Sequence, residues 1–452
     1  MSFAPARLNF SLTVLLALAV TGALPATRAE LGAEAVQELI ESAPTATEVA
    51  LLQQIYSDNP AIAQARALAA ARAERGPQVG TLPDPTLGLA AFLLPPETRT
   101  GPQRVTATLG QRIPWKGKLS LREDVQRALA AEARARAEQI ALTKISQARR
   151  LLTRIAFIDV SKQILDEDLA TLEEFERLAR ARYATGRGPA QSPIKLQAEI
   201  TRDRTRLLDL DRERAELVTQ VNALRDRPGS EELPPLNLPD PRQELPSPEQ
   251  LQAIALARHP AVAGGRKAIA STEHRVALAR KDYRPDFSVG MTYTVVDRRQ
   301  DWAGRVAPPA DSGQDILGVA ATINLPIRKR RLDAGVREAL EARTAATADL
   351  ASTVLDIERQ LHARLAEHPP LLAQWHLLGE VLLPQAEESL ASVRFGYETG
   401  ISDVLDLLDA ERILLEVRLG TKRAAMQLQL LIIDIEEAIA GPLAIADEGD
   451  QA

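Results

Sequence analysis

The chain contains no cysteine, few aromatic residues and no excess of basic charge. Without thiols it cannot form disulfides, zinc–thiolate sites, iron–sulfur clusters or a cysteine nucleophile. Its 55 lysines and arginines face 61 acidic residues, for a net charge of -6, so no nucleic-acid partner is indicated. It also lacks the glycine-rich phosphate loop, the His-Glu-x-x-His helix and the Gly-x-Ser-x-Gly turn. We therefore expect no enzyme activity and no cofactor.

Long apolar runs are also missing after the first 29 residues, where no window offers 18 uncharged apolar residues for a spanning helix. Residues 1–29 have the form of a signal peptide, with Arg7 before the apolar stretch Leu8–Leu24 and a small-residue cleavage site at Thr27-Arg28-Ala29. The mature chain is expected to start near Glu30, followed by an N-terminal periplasmic segment at 30–47. The alternative is a membrane anchor that stays attached.

The sequence contains an internal repeat with a period of about 200 to 212 residues. The matching segments are Asn59-Pro60-Ala61-Ile62-Ala63 and His259-Pro260-Ala261-Val262-Ala263, Pro83-Asp84 and Pro285-Asp286, Ile113-Pro114 and Leu325-Pro326, Tyr183-Ala184-Thr185-Gly186 and Tyr397-Glu398-Thr399-Gly400, and Leu196-Gln197-Ala198-Glu199 and Leu408-Asp409-Ala410-Glu411. A proline-rich linker at 228–247 separates repeat 1 (48–227) from repeat 2 (248–440), and a short tail follows at 441–452.

Each repeat contains two segments in which apolar and polar residues alternate, which is typical of β-strands with one apolar face. The clearest is 286–296, where Phe287, Val289 and Met291 alternate with Ser288 and Gly290. We predict strands at about 85–94, 104–113, 286–296 and 315–325. Their length of roughly 8 to 11 residues suits a tilted transmembrane strand. A soluble hairpin packed on a core has the same period.

Very long helices are predicted after the second strand of each repeat. They cover 119–183 and 332–397, and shorter return helices cover 191–225 and 402–440, with apolar spacings of three and four typical of coiled coils. Gly186 and Gly400 are placed to end the long helices. Pro369-Pro370 should break or kink the second one, and Pro384 should add a bend.

Four strands are too few to close a barrel, and an open sheet edge in lipid leaves backbone groups unpaired. The chain is therefore expected to form a homotrimer, in which three copies supply a 12-stranded membrane β-barrel standing on a helical periplasmic tunnel. The fold class is thus mainly α with a small membrane barrel. Such an object is a conduit.

The doubled Pro-Ala-(Ile/Val)-Ala entry, the Tyr-x-Thr-Gly turns, Leu405–Glu411 and Leu383–Glu387 resemble the TolC-like outer-membrane efflux proteins. The resemblance implies a trimeric channel in the cell outer membrane that receives cargo from an inner-membrane pump, of the RND type, through a periplasmic adaptor. The helix–turn–helix tips would close its periplasmic mouth, and an aspartate pair would line the constriction. By match these aspartates are Asp406 and Asp409, and Asp403 could add a third ring. The alternative is that they merely solvate an outer helix face.

The same resemblance places the tip and the adaptor contact at a set of six residues: Tyr183, Gly186, Arg187, Tyr397, Gly400 and Ile401. The segments Gln111–Leu119 and Pro83-Asp84-Pro85 look like the heavy-metal cation efflux branch, which includes CzcC-like proteins. Trp115, Lys116 and Lys118 would then lie at the membrane interface against lipid headgroups. A charged loop without a lipid role is the alternative.

Metal ligands are not predicted, because the five histidines lack the compact spacing of a metal site and are expected to be scattered over the surface. The predicted function is a passive outer-membrane channel for heavy-metal cations in a tripartite efflux system, with a role in metal resistance. Two alternatives stay open. One is a drug or polypeptide export channel of the same fold, and the other is a periplasmic coiled-coil scaffold.

Overall fold

The computed structural model describes residues 31–443, and side chains from residue 34 onward. The predicted signal peptide and most of the predicted C-terminal tail lie outside these residues. The helices are Leu31–Glu41 (α1), Ala46–Asp58 (α2), Pro60–Ala73 (α3), Arg75–Gly80 (α4), Lys118–Ala184 (α5), Gln191–Leu224 (α6), Pro248–Arg258 (α7), Pro260–Lys281 (α8), Trp302–Val306 (α9), Lys329–His376 (α10), Leu383–Thr399 (α11) and Val404–Ile439 (α12). The strands are Thr86–Ala91 (β1), Gln103–Ile113 (β2), Phe287–Val296 (β3) and Ile316–Ile323 (β4).

The two repeats begin alike, with a capped helix that opens on proline. The Asn59 side chain accepts from the amides of Ala61 and Ile62, and His259 Nδ1 accepts from the Ala261 amide at the equivalent place. Both caps satisfy amides at a helix start whose first residue has no N–H to satisfy. His259 is buried, and burial lowers its pKa to about 4, so the ring is neutral and free to accept.

His259 and His368 are both buried, and the expectation of scattered surface histidines is wrong for these two. The first is held inside by its capping bond. The second has Nε2 3.4 Å from the Arg242 carbonyl in the segment between the repeats.

The four strands form one antiparallel sheet in the order β1-β2-β3-β4. The register aligns Leu87, Leu109, Met291 and Val319 in one row and Gly88, Thr108, Thr292 and Gly318 in the next. Directly opposed residues share a face, so the first row lies on an apolar face and the second on a polar one. Within residues 31–443 no helix covers the apolar face: Val319 is 77% exposed and Leu89 72%. The outer edges of β1 and β4 pair with no strand among the described residues.

The helical part is long and narrow. At 67 residues and ~1.5 Å per residue, α5 extends about 100 Å. Its middle packs against α1, α2, α3 and the end of α6 around Leu142, Ile145 and Ile155. Its end packs against α6, α11 and α12 around Leu172, Phe175 and Leu196. Among the described residues, no helix has both the length and the apolar character that crossing a bilayer requires.

The predicted break at Pro369-Pro370 does not occur, whereas a kink there stays a prediction. Helix α10 contains both prolines and continues to His376. Each proline removes one amide donor and crowds the carbonyl four residues earlier, yet the helical conformation continues on both sides. The irregularity comes two turns later, as a π-helical segment at Leu377–Leu382, after which α11 starts with Pro384 in its first turn. The predicted long helix 332–397 is therefore three consecutive segments, from Lys329 to Thr399.

Candidate functional site

Two tight turns close the helical part at one end. Helix α5 ends at Ala184 and is followed by Gly186 with φ +69°, and α11 ends at Thr399 and is followed by Gly400 with φ +88°. Both glycines adopt the left-handed conformation that side chains disfavour, which is why each repeat carries Tyr-x-Thr-Gly at this place. The turns define what we call the tip, residues 182–191 and 397–404.

Arg182 joins the two halves of the tip. Its guanidinium donates to the carbonyl oxygen of Tyr397 and lies 4.8 Å from the centroid of the Tyr397 ring. A cation over an aromatic face is attracted by the ring quadrupole. Burial raises the pKa of Tyr397, so its hydroxyl stays protonated at neutral pH. Arg182 thus fastens the end of α5 to the end of α11 within one copy.

The six predicted tip residues differ in their exposure to solvent. Tyr183, Gly186, Arg187, Gly400 and Ile401 are exposed, with Ile401 84% accessible. Tyr397 is 5% exposed, because its ring fills the core between α5, α6 and α12 and is covered by Arg182. Its assignment as an adaptor contact is therefore wrong, and its role is to support the tip from inside.

The three predicted constriction aspartates are all exposed at the start of α12. Asp403 is the N-cap: its carboxylate accepts from the amides of Leu405 (2.6 Å) and Asp406 (3.2 Å). Asp406 completes a capping box by accepting from the Asp403 amide at 3.0 Å. Asp406 and Asp409 border one cleft between α6 and α12, which Lys195 and Arg412 also line. The pair therefore shares a helix face, and a ring of them stays a prediction.

A cluster of four buried carboxyl groups lies behind this cleft, and we call it the acidic cluster. Its members are Asp168 of α5, Glu199 and Asp203 of α6, and Glu411 of α12, each at most 5% exposed. Glu199 binds Arg202 and Arg412, and Asp203 binds Arg206 at 2.8 Å. Asp168 and Glu411 have no arginine or lysine partner among the described residues.

Two pKa values in the acidic cluster are displaced upward. Burial, together with the hydrogen bond and the charge of Glu411, raises the pKa of Asp168 to about 8. Burial and the negative charge of Asp168 raise the pKa of Asp203 to about 6, against the opposing pull of Arg206. Glu199 behaves oppositely: burial opposes its ionisation, but its two arginines outweigh burial and lower its pKa.

A second charged assembly anchors the sheet to the helices. Asp286, 7% exposed, accepts from Lys118 Nζ at 2.8 Å, the Trp115 amide at 3.0 Å and Arg112 at 3.1 Å. Burial alone would raise the pKa of Asp286, but these hydrogen bonds outweigh it and lower the pKa. Trp115 stacks on Phe287 at 5.9 Å between ring centroids.

Of the three residues predicted at the membrane interface, one lies elsewhere. Lys116 is exposed and Trp115 is partly exposed, as a boundary position allows. Lys118 is 3% exposed and committed to Asp286, since a buried carboxylate needs a cation beside it, so it cannot reach a headgroup. Its assignment to the membrane interface is wrong.

The acidic cluster and Arg182 were not predicted from the sequence. A signal for two cluster members existed, because Glu199 and Glu411 are the last residues of the repeated Leu-x-Ala-Glu segment. The fold brings the two glutamates close together, and Arg412 of repeat 2 pairs with Glu199 of repeat 1 within the same chain. No pattern singles out Asp168, Asp203 or Arg182.

The chain is thus a bundle of long paired helices with a four-stranded sheet at one end and two helical turns at the other. Residues 251–441 match the sequence model of the outer membrane efflux protein family. A search of curated proteins found no match.

Similar solved structures include the outer-membrane channel OprN, with a TM-score of 0.72 and 18% identity over 92% of this chain and 93% of that one. The open state of the MtrE outer membrane channel of Neisseria gonorrhoeae gives 0.69 and 18% over 93% and 94%. CusC gives 0.70 and 16% over 87% and 91%. These likenesses confirm the TolC-like fold.

Proposed function

We propose that the chain is the outer-membrane channel of a tripartite efflux system. The observation that carries the proposal is the sheet: in the part of the chain that the structure describes, its four strands have an uncovered apolar face, a polar opposite face and two unpaired edges. In water this surface would be an aggregation hazard, whereas in a bilayer an apolar outer face and paired edges are what stability requires.

Three copies would satisfy both requirements. Edge β4 of one copy would pair with edge β1 of the next and close twelve strands, with the row of Val319 toward lipid and the row of Thr292 toward the lumen. The helices would continue below as a periplasmic tunnel. Threefold symmetry would repeat Asp406 and Asp409 as anionic rings around the mouth at the tip.

A channel of this kind is passive, so cargo must be delivered to its mouth. We propose that the exposed tip residues, Tyr183, Arg187 and Ile401 among them, contact a periplasmic adaptor that connects to an inner-membrane pump of the RND type. The exposure of these side chains supports the proposal.

For the cargo we propose heavy-metal cations. The support is the CzcC-like segment Gln111–Leu119 and an anionic mouth that would attract cations. A deletion strain should become sensitive to zinc, cobalt or cadmium salts and keep its tolerance of drugs. Sensitivity to drugs alone would select the drug-channel alternative.

The decisive experiment is the mass of the detergent-solubilised protein, followed by insertion into a planar bilayer. We expect a trimer that cannot be extracted without detergent and that conducts ions. A soluble single-copy rod would instead support the periplasmic scaffold. The polar-face variant Thr292→Arg is a matched probe, because it should assemble normally and alter conductance.

A further inference from the structure

The acidic cluster contains more carboxyl groups than its cations can neutralise. Arg202 and Arg412 both bind Glu199, and Arg206 binds Asp203. One oxygen each of Asp168, Asp203 and Glu411 is buried without a hydrogen-bond partner among the described residues. These three oxygens belong to three different helices, α5, α6 and α12.

Two neighbouring carboxylates without a cation cannot both be ionised in a buried site, and the usual solution is one shared proton. Asp168 neighbours both Glu411 and Asp203, and each of the three keeps one buried oxygen without a partner among the described residues. A metal ion is the other way to neutralise such a cluster, but no group of three or more His, Cys, Asp or Glu within residues 31–443 is arranged to hold one.

We propose that Asp168 and Glu411 share a proton that latches α12 to α5 and α6, and that loss of this proton releases the start of α12. The consequence for gating rests on the proposed function, because α12 also carries Asp406 and Asp409. Glu411 follows Asp406 by five residues, or about 7.5 Å along the helix. A shift of α12 at the latch therefore moves the mouth aspartates directly.

The direction of the pH effect follows from the upward shift of the carboxyl pKa values on folding. A carboxyl whose pKa is raised by folding stabilises the folded packing fully below its ordinary pKa, and this stabilisation is lost as pH rises through the folded value. For Asp203 and Asp168 the folded values are about 6 and about 8. The latch should thus hold in mildly acidic solution and open between neutral and alkaline pH. Arg202, Arg206, Arg412, Glu199 and Asp409 are the other charged groups around the cluster.

The first test detects the proton. Infrared difference spectra of the solubilised protein should contain the carbonyl band of a protonated carboxyl group that disappears with a midpoint near pH 8. Asp168→Asn should remove that band. Asp166→Asn, an exposed neighbour on the same helix, should leave it unchanged. Absence of the band in the unmodified protein would overturn the proposal.

The second test detects movement, and the absence of native cysteine makes site-specific labelling clean. Spin labels at Thr201→Cys on α6 and Ile413→Cys on α12, both exposed, report the separation of the two helices. We expect the separation to increase from pH 6 to pH 9. Asp168→Asn should stay at the short distance at both pH values, because asparagine donates the hydrogen bond without titrating. A separation that ignores pH, or that responds equally in Asp168→Asn, would refute the latch.

Glu411→Gln is the second variant, for the case that Asp168→Asn does not fold. Removing the Glu411 charge should move the midpoint of the Asp168 band to lower pH, and an unchanged midpoint would contradict the pairing. Neither measurement needs ion conduction. A pH-dependent separation in a protein that does not conduct would support the latch and contradict the channel proposal. A conducting trimer with a fixed separation would support the channel proposal and contradict the latch.

Discussion

The two repeats share one plan but bury their long helices differently. In repeat 1, α5 is continuous and buries side chains along its whole length. In repeat 2 the equivalent path is divided into α10, the π-helical segment and α11, and α10 buries only Leu332, Ile357, Leu361 and His368. Repeat 1 therefore forms the internal axis of a single copy. Repeat 2 leaves its long helix facing outward, where the proposed trimer would place neighbouring copies.

The two repeats also differ in how much of the chain beside the sheet they bury. Asp286 of repeat 2 is buried and receives three hydrogen bonds, whereas its counterpart Asp84 in repeat 1 is exposed. All three donors to Asp286 come from repeat 1. The two repeats are thus fastened together at this point by a carboxylate that only one of them buries.

The largest effect should come from breaking this fastening. Lys118→Met leaves Asp286 buried without its main cation, and we expect a loss of about 3–5 kcal/mol in the free energy of unfolding. The measurement is denaturant unfolding of the solubilised protein. Lys116→Met, on an exposed neighbour, should change it by no more than about 0.5 kcal/mol. Equal effects of the two variants would mean that the ion pair is not what holds the junction.

The pH dependence of the stability should also distinguish Asp286 from Asp84. Because folding lowers the pKa of Asp286, its stabilisation is present above the ordinary carboxyl pKa and is lost as pH falls through the folded value. Asp286→Asn should therefore flatten the acid limb of the stability profile. Asp84→Asn is the matched control and should leave it unchanged.

The next effect compares the two long helices directly. Ile155 of α5 is fully buried, and Ile155→Ala should cost about 2–5 kcal/mol. Leu355 of α10 is 64% exposed in a single copy. Leu355→Ala should leave the unfolding of one copy nearly unchanged but reduce the trimer fraction seen by mass, since the residue would pack on a neighbouring copy. A trimer that is indifferent to Leu355 would place that face in solvent.

The two faces of the sheet give the third comparison. Val319→Arg puts a charge on the apolar face and should cost about 2–4 kcal/mol of assembly free energy if Val319 lies near the bilayer midplane. Thr292→Arg puts the same charge on the polar face, where assembly should be normal and conductance should fall. Gel mobility of the folded trimer and bilayer recordings separate the two results. Normal assembly of Val319→Arg would place that row away from lipid.

Much of the architecture could be predicted because it is periodic. A period of two in β3 and spacings of three and four in α5 are local patterns, and the repeat shows that the chain uses them twice. The continuity of α10 through Pro369-Pro370 could not be predicted, since proline pairs inside a helix usually kink or break it.

The site residues follow the same division. The glycine turns follow from local backbone geometry, so Gly186 and Gly400 were foreseeable. The burial of Lys118 and Tyr397 depends on partners distant in sequence: Lys118 pairs with Asp286, 168 residues away, and Tyr397 with Arg182, 215 residues away. The acidic cluster requires three helices to converge, and only the repeated Glu199 and Glu411 hint at it.

The smallest effects distinguish the aspartates at the tip from one another. Asp403→Ala removes an N-cap and should cost about 0.5–2 kcal/mol with fraying at the start of α12, seen as faster amide exchange at Leu405 and Asp406. Asp409→Ala removes no capping bond and should leave exchange unchanged, but should lower the preference for cations over anions in a bilayer if it forms a ring. Asp406→Ala should show both effects in reduced form, because its carboxylate accepts from the Asp403 amide and also borders the cleft. If all three variants altered selectivity equally, the capping assignment would not separate Asp403 from the pore, and the mouth would be lined by three rings instead of two.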